Sequence, residues 1–301
     1  MRRGRVTPLL LALLCLMSGG CATLNGTGRG GLGLPNPSTA IAVSVLAKSI
    51  YLVDPATGRR AEVVSGLLDF RSGYASWAPG HQQLIFANHA LYLLDFGTKQ
   101  QRAVVKGRDL TMPAWNPNGD EVVYGNGVSI WRTPIPAAAA LRLRMPATLA
   151  PLDMDWGRKG LIAFEGLARV CRGLRCSSTD RSEVWVLDPG RGTLRQITHV
   201  GHVQEPKWSP DGSRILFIRR TMGSPAHREL WAVNAEGSGL RKLTTAGNVL
   251  AADWSPDGSR LALVRAAATT HLLQLWIAEP DGTAARALGS PIEGNEATLD
   301  W

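Results

Sequence analysis

The residues best suited to chemistry in this chain are arginines and histidines gathered in a few stretches, with a cysteine pair among them. Residues 166–182 hold Arg169, Cys171, Arg172, Arg175, Cys176, Asp180 and Arg181. Residues 219–228 hold Arg219, Arg220, Met222, His227 and Arg228, and His199 and His202 stand between the two groups. A planar guanidinium pairs bidentately with carboxylate or phosphate. This pattern therefore suits docking of an acidic or carboxylate-bearing partner, with Arg169, Arg172, Arg175, Arg181, His202, Arg219, Arg220, His227 and Arg228 as the contact set. A merely solvated charged surface is the alternative. His199, His202 and His227 could ligate a metal, but no neighbouring carboxylate pattern completes a donor set. Neither a metal nor another cofactor is expected. The chain contains no Gly-x-Ser-x-Gly nucleophile turn, and no residue is assigned a catalytic role.

The N-terminus carries a different chemistry. Arg2, Arg3 and Arg5 precede a short apolar run from Pro8 to Met17, and Ser18-Gly19-Gly20-Cys21 follows. The run is too short for a permanent membrane span, which needs roughly 20 residues. The layout reads as an export signal over residues 1–20, with Cys21 as a lipidated first mature residue; ordinary secretion with cleavage near Cys21 is the alternative. Residues 21–40 are rich in Gly and Pro and read as a flexible tether. In an exported chain, Cys171 and Cys176 then read as a disulfide, with a metal pair lacking further ligands as the sharper alternative. The formal net charge is +9, and loss of Arg2, Arg3 and Arg5 leaves +6, without a run of five like charges. Nucleic acid is not the expected partner.

What must position these groups is a repeat. Trp208-Ser209-Pro210-Asp211-Gly212-Ser213-Arg214 returns as Trp254-Ser255-Pro256-Asp257-Gly258-Ser259-Arg260. Weaker copies begin at Trp77, Trp115 and Trp156, and a last one stops at Asp300-Trp301; the steps are 38, 41, 52, 46 and 47 residues. A period of this size, with short strands separated by turn residues, is the signature of propeller blades. Each period reads as strand A ending at the Trp, a Pro-Gly turn, strand B, an aromatic-bearing strand C, a polar turn and strand D. Strand C holds Trp131, Trp185, Trp231 and Trp276, with Tyr51 and Tyr92 at the matching positions, so all ten tryptophans fall on two repeat positions. Both sets are expected to be inter-blade core. The residues before the first set include Asp155, Lys207, Asp253 and Asp300, which should line a central channel. There they could hold a cation, or else bind water and backbone amides.

Ile41–Val45, Ser49–Val53 and Ala61–Val64 supply strands B, C and D without an A strand, and residues 297–301 supply an A strand with nothing after it. The two ends should complete one blade. The expected fold is an all-β, six-bladed propeller over residues 41–301, with four-stranded blades, closed by the C-terminal strand completing the first blade.

The Trp-Ser-Pro-Asp-Gly-Ser-Arg stretches, with the endings Ile197-Thr198 and Leu243-Thr244, resemble the propeller repeats of TolB. The resemblance covers about residues 41–301 and is most specific in blades five and six. TolB is a periplasmic protein of the Tol–Pal envelope system. It has an α/β domain ahead of its propeller and contacts a peptidoglycan-associated lipoprotein through that propeller; here the expected tether and lipid would stand in place of that domain. The resemblance implies a TolB-like propeller lipoprotein of the bacterial cell envelope, facing the periplasm from the outer membrane if the cell is Gram-negative. It would be monomeric and non-catalytic, and would bind an envelope or peptidoglycan-associated protein. Similar repeats occur in a polysaccharide lyase with a His-rich metal centre, so an enzyme of lyase or hydrolase type acting at the channel mouth is the alternative.

Overall fold

The computed structural model describes residues 33–68, 73–172, 175–222, 227–244, 248–267 and 270–301. The expected signal, Cys21 and most of the expected tether lie outside them. The described residues form six four-stranded antiparallel sheets and contain no helix. Blade one combines β1 (Ile41–Val45), β2 (Ser49–Val53) and β3 (Arg60–Ser65) with the last strand, β24 (Ala297–Asp300). Blade two is β4 (Ala75–Trp77), β5 (Gln83–Asn88), β6 (Ala90–Asp95) and β7 (Gln100–Val105). Blade three is β8 (Leu110–Trp115), β9 (Glu121–Asn126), β10 (Ser129–Pro134) and β11 (Leu141–Arg142). Blade four is β12 (Leu149–Trp156), β13 (Ile162–Arg172), β14 (Arg175–Asp188) and β15 (Thr193–Gln196). Blade five is β16 (Val203–Trp208), β17 (Arg214–Arg220), β18 (Arg228–Asn234) and β19 (Arg241–Lys242). Blade six is β20 (Asn248–Trp254), β21 (Leu261–Ala266), β22 (Leu272–Ala278) and β23 (Arg286–Glu293). Closure is as the repeat count requires: β24 pairs with β1 in the register Ala42↔Asp300 to Val45↔Ala297.

The repeated heptapeptide is a self-contained turn. Gly212 donates its amide to Ser209 O and sits at φ +64°, a conformation glycine adopts without steric cost. Asp211 accepts the Ser209 hydroxyl at 2.6 Å and the Ser213 amide at 3.0 Å. These bonds, the Ser209 hydroxyl foremost, lower its pKa to about 2. Asp257 repeats the arrangement and the shift.

The core lies between blades. Trp254, for example, is buried among Leu216, Ile218, Leu261 and Leu263 at the junction of blades five and six. Trp77, Trp115, Trp156 and Trp208 are buried likewise. Trp131, Trp185, Trp231 and Trp276 are only half-buried. Two of these rings carry an arginine: Arg219 lies 5.4 Å from the centroid of Trp231, and Arg265 lies 4.8 Å from that of Trp276.

Candidate functional site: the central channel and the arginine arm

The A strands bring two layers of side chains to the axis. One layer holds Asp155, Lys207, Asp253 and Asp300, one residue before the tryptophans. Lys207 Nζ lies 2.8 Å from Asp300 and 3.6 Å from Asp253. The carboxylates also clip adjacent blades together. Asp300 accepts the Trp77 amide at 2.7 Å, Asp155 the Trp208 amide at 2.7 Å, and Asp253 the Trp301 amide at 3.2 Å. Burial raises the pKa of Asp155, and raises Asp253 to about 8 against the pull of Lys207. Burial would lower Lys207, but Asp300, Asp253 and Asp155 together hold it well above the usual lysine value.

The second layer comes from irregularities in the same strands. Pairing slips between Leu152 and Met154 and between Gln204 and Lys207. Asp153 and Glu205 take positive φ there, at 33° and 48°. A bulge re-aims a side chain, and here it directs two acids into a cavity of about 40 Å³ that Tyr74, Met112 and Thr298 also line. Asp153 Oδ1 and Glu205 Oε2 are buried without a hydrogen-bond partner among the described residues. Burial raises both pKa values, and raises that of Glu165, whose side chain meets Asp153. The sequence reading missed these acids. Their signal was available as an acid three residues before a repeat tryptophan, at Asp153 and Glu205.

The loops that join strands B and C all leave one face of the ring. In blade four this connection is a two-stranded arm, formed by the far ends of β13 and β14. The arm is pinned by a Cys171–Cys176 disulfide with an S–S distance of 2.07 Å. The expected contact arginines fall into two groups. Arg169 donates to Ala147 O and Cys176 O, Arg219 to Val200 O, and Arg228 forms a two-bond pair with Glu296 at 2.7 and 2.9 Å. Arg172, Arg181 and Arg220 enter no ion pair among the described residues. The Arg175 side chain lies outside the described set. His199 bonds Gln196 at 2.9 Å, His202 has a buried Nδ1 without a hydrogen-bond partner among the described residues, and the His227 amide donates to Thr221. No three His, Cys, Asp or Glu side chains are grouped to hold a metal ion among the described residues.

The opposite face, where the A–B turns lie, holds a funnel of about 740 Å³. It is walled by the tryptophans of the A-strand ends and by Pro79, Pro117, Pro210 and Pro256. Leu34 to Ala40 runs along this rim: Ser38 lines the funnel, and Thr39 O accepts the Trp301 indole N–H at 3.3 Å.

The fold and its channel define a six-bladed β-propeller. The chain is similar to the structure of TolB from Acinetobacter baumannii, with a TM-score of 0.66 and 16% identity over 89% of this chain and 68% of that one. It is also similar to a putative TolB from Agrobacterium tumefaciens, at 0.63 and 17% over 85% and 89%. An oligogalacturonate lyase in complex with manganese matches at 0.55 and 17% over 83% and 74%. No family model matches the sequence, and no curated protein matches it.

Proposed function

We propose that the chain is a non-catalytic docking propeller of the bacterial envelope, held to a membrane through lipidated Cys21, that receives an acidic partner on the face carrying the arm. The observation that carries this reading is the arm itself. A disulfide-pinned ribbon holds Arg172 and Arg181 clear of any ion pair among the described residues, and Arg220 ends the neighbouring strand on the same face. Free guanidinium groups on a rigid support bind carboxylates with little ordering cost. The likeness to TolB propellers supports an envelope setting. The test is co-purification from envelope extract, comparing the native chain with one carrying Arg172→Gln, Arg181→Gln and Arg220→Gln. Loss of a stoichiometric partner is expected, and an unchanged partner set would end the docking-face assignment. Mass spectrometry of the membrane-extracted protein should find an acylated Cys21.

A second reading, a metal-dependent polysaccharide lyase or hydrolase, draws on the likeness to the manganese-bound lyase. The histidines offered for it, His199, His202 and His227, are not grouped to hold a metal ion among the described residues. Stoichiometric metal in the purified protein, lost on His199→Ala with His202→Ala, would favour it over docking.

A further inference from the structure

The aromatic rings of the C strands differ in what covers them, and one position of strand B decides it. In blade five Trp231 faces Phe217, and Arg219, two residues further on, lies over the indole. Blade six repeats this with Trp276, Leu263 and Arg265. In blade four Trp185 faces Phe164, and the residue two further on is Gly166. A Cβ at Gly166 would overlap Cδ1 of Trp185 and stand 2.6 Å from its Nε1. The indole therefore leans on bare backbone, and no cation stacks on it among the described residues.

Beside this ring a crevice of about 320 Å³ opens on blade four, lined by Trp185 with Thr148, Leu149, Arg181 and Gln196. That is the lower end of the range for small-molecule sites, about 300–1,000 Å³. Two of its polar side chains keep bonding capacity for a ligand. Arg181 enters no ion pair among the described residues. The Gln196 nitrogen is engaged by Thr198 O at 2.7 Å and by His199, which leaves its carbonyl oxygen for another donor. Glu183, also in the wall, is occupied: it accepts the Thr198 hydroxyl at 2.6 Å and the amides of Val200 and Gly201 at 3.0 and 2.8 Å.

We propose that this crevice is a binding site for a pyranose unit bearing a carboxylate. An open indole face presents the negative side of its quadrupole to the C–H groups of a sugar ring. Arg181 supplies a fork for the carboxylate, and Thr148 and Gln196 meet hydroxyls. Blades five and six lay their own guanidinium over the ring, whereas Trp185 of blade four lines an open crevice. The site shares Arg181 with the docking face, but Trp185 and Gln196 play no part in that face, so the Trp185 variants tell the two apart.

The test is saturation-transfer NMR and calorimetry on the full chain with a matched pair of probes, cellobiose and cellobiouronic acid, which differ only in the carboxylate. The acid should bind at least about tenfold more tightly, the margin a charge-assisted bond supplies. Arg181→Gln should bring the two probes together. Trp185→Ala should abolish transfer from both, and Trp185→Phe, which keeps a flat ring and the fold, should restore it. Arg286→Gln, on the outer strand of blade six, should leave binding of both probes unchanged. The proposal is overturned if the native chain gives no transfer with either probe, if it binds both equally, or if Trp185→Ala leaves transfer undiminished. Should Trp185→Ala fail to fold, the Arg181→Gln and Trp185→Phe results decide.

Discussion

Removal of residues 297–301 should cost the protein its fold. The deletion takes away β24, and with it the pairing to β1 over four register positions. Each lost backbone bond is worth about 1 kcal/mol net. Ala297 and Leu299, both almost wholly buried in the cluster shared with Val43, Val45 and Val264, leave that core, at roughly 3 kcal/mol for the two together. Asp300 leaves as well, stripping Lys207 of its 2.8 Å partner and the Trp77 amide of its acceptor. Breaking a buried pair on one side costs about 3–5 kcal/mol. The total is on the order of 10 kcal/mol, comparable with the whole stability of a typical domain, about 5–15 kcal/mol. The exposed edge of β1 would then pair with other chains. Circular dichroism melting together with size-exclusion chromatography reads the outcome, with Asp300→Asn as a partial lesion expected to lower Tm without unfolding the chain at room temperature. A truncated protein that remains monomeric and melts where the native chain does would refute closure by the C-terminal strand as a source of stability.

Other outcomes follow from the channel and the arm. Asp153, Asp155, Glu165, Glu205 and Asp253, the last at about 8, have folded pKa values above their unfolded values near 4. The folded state therefore binds more protons between about pH 4 and 8, and stability should fall as pH rises through that window. Scanning calorimetry should give a higher Tm at pH 5.5 than at pH 8.5, and a flat or rising Tm would contradict the buried acids. Asp211 and Asp257, lowered to about 2, act in the opposite sense and lose their contribution only as pH falls below about 4. Lys207→Met should lower stability by about 3–5 kcal/mol at pH 8 and by less at pH 5, where the freed carboxyls protonate; denaturant titration at the two pH values measures the difference. Cys171→Ser with Cys176→Ser should leave the Tm of the propeller within a few degrees, since the bridge closes a short loop on a projecting arm. Limited trypsin digestion should then cut faster at the arm arginines, and equal digestion rates would show that the disulfide does not hold the arm.

The ring was legible because its signals are local and repeated. The Trp-Ser-Pro-Asp-Gly stretches state a strand end, a turn and a strand start in one phrase. Counting them set six blades and set Asp300-Trp301 as the closing strand. The arm was not legible as strand. Residues 166–182 mix charged, small and apolar residues without a sustained apolar period, and they read as a loop. The half-burial of Trp185, Trp231 and Trp276 was hidden too, because their cover comes from strand B: Arg219 and Arg265 in two blades, and Gly166 in the third. The Asp ring was placed at the channel from its position before the tryptophans. Its work as inter-blade clips needed the neighbouring amides in view.

The rim position of Leu34 to Ala40 has a mechanical consequence. The chain reaches β1 from the funnel side, and β1 runs from Ile41 at that rim toward the face that carries the arm. A pull between a partner on the arm and any attachment upstream of residue 33 would therefore travel roughly along the ring axis, across the height of a strand, about 3.3 Å per residue. The load would reach β1 parallel to its length, where β24 and β2 flank it on both sides. Hydrogen bonds loaded in that direction must break together in shear, whereas a peeling force would part them one at a time. The joint where the two chain ends meet is thus oriented to carry tension along the axis.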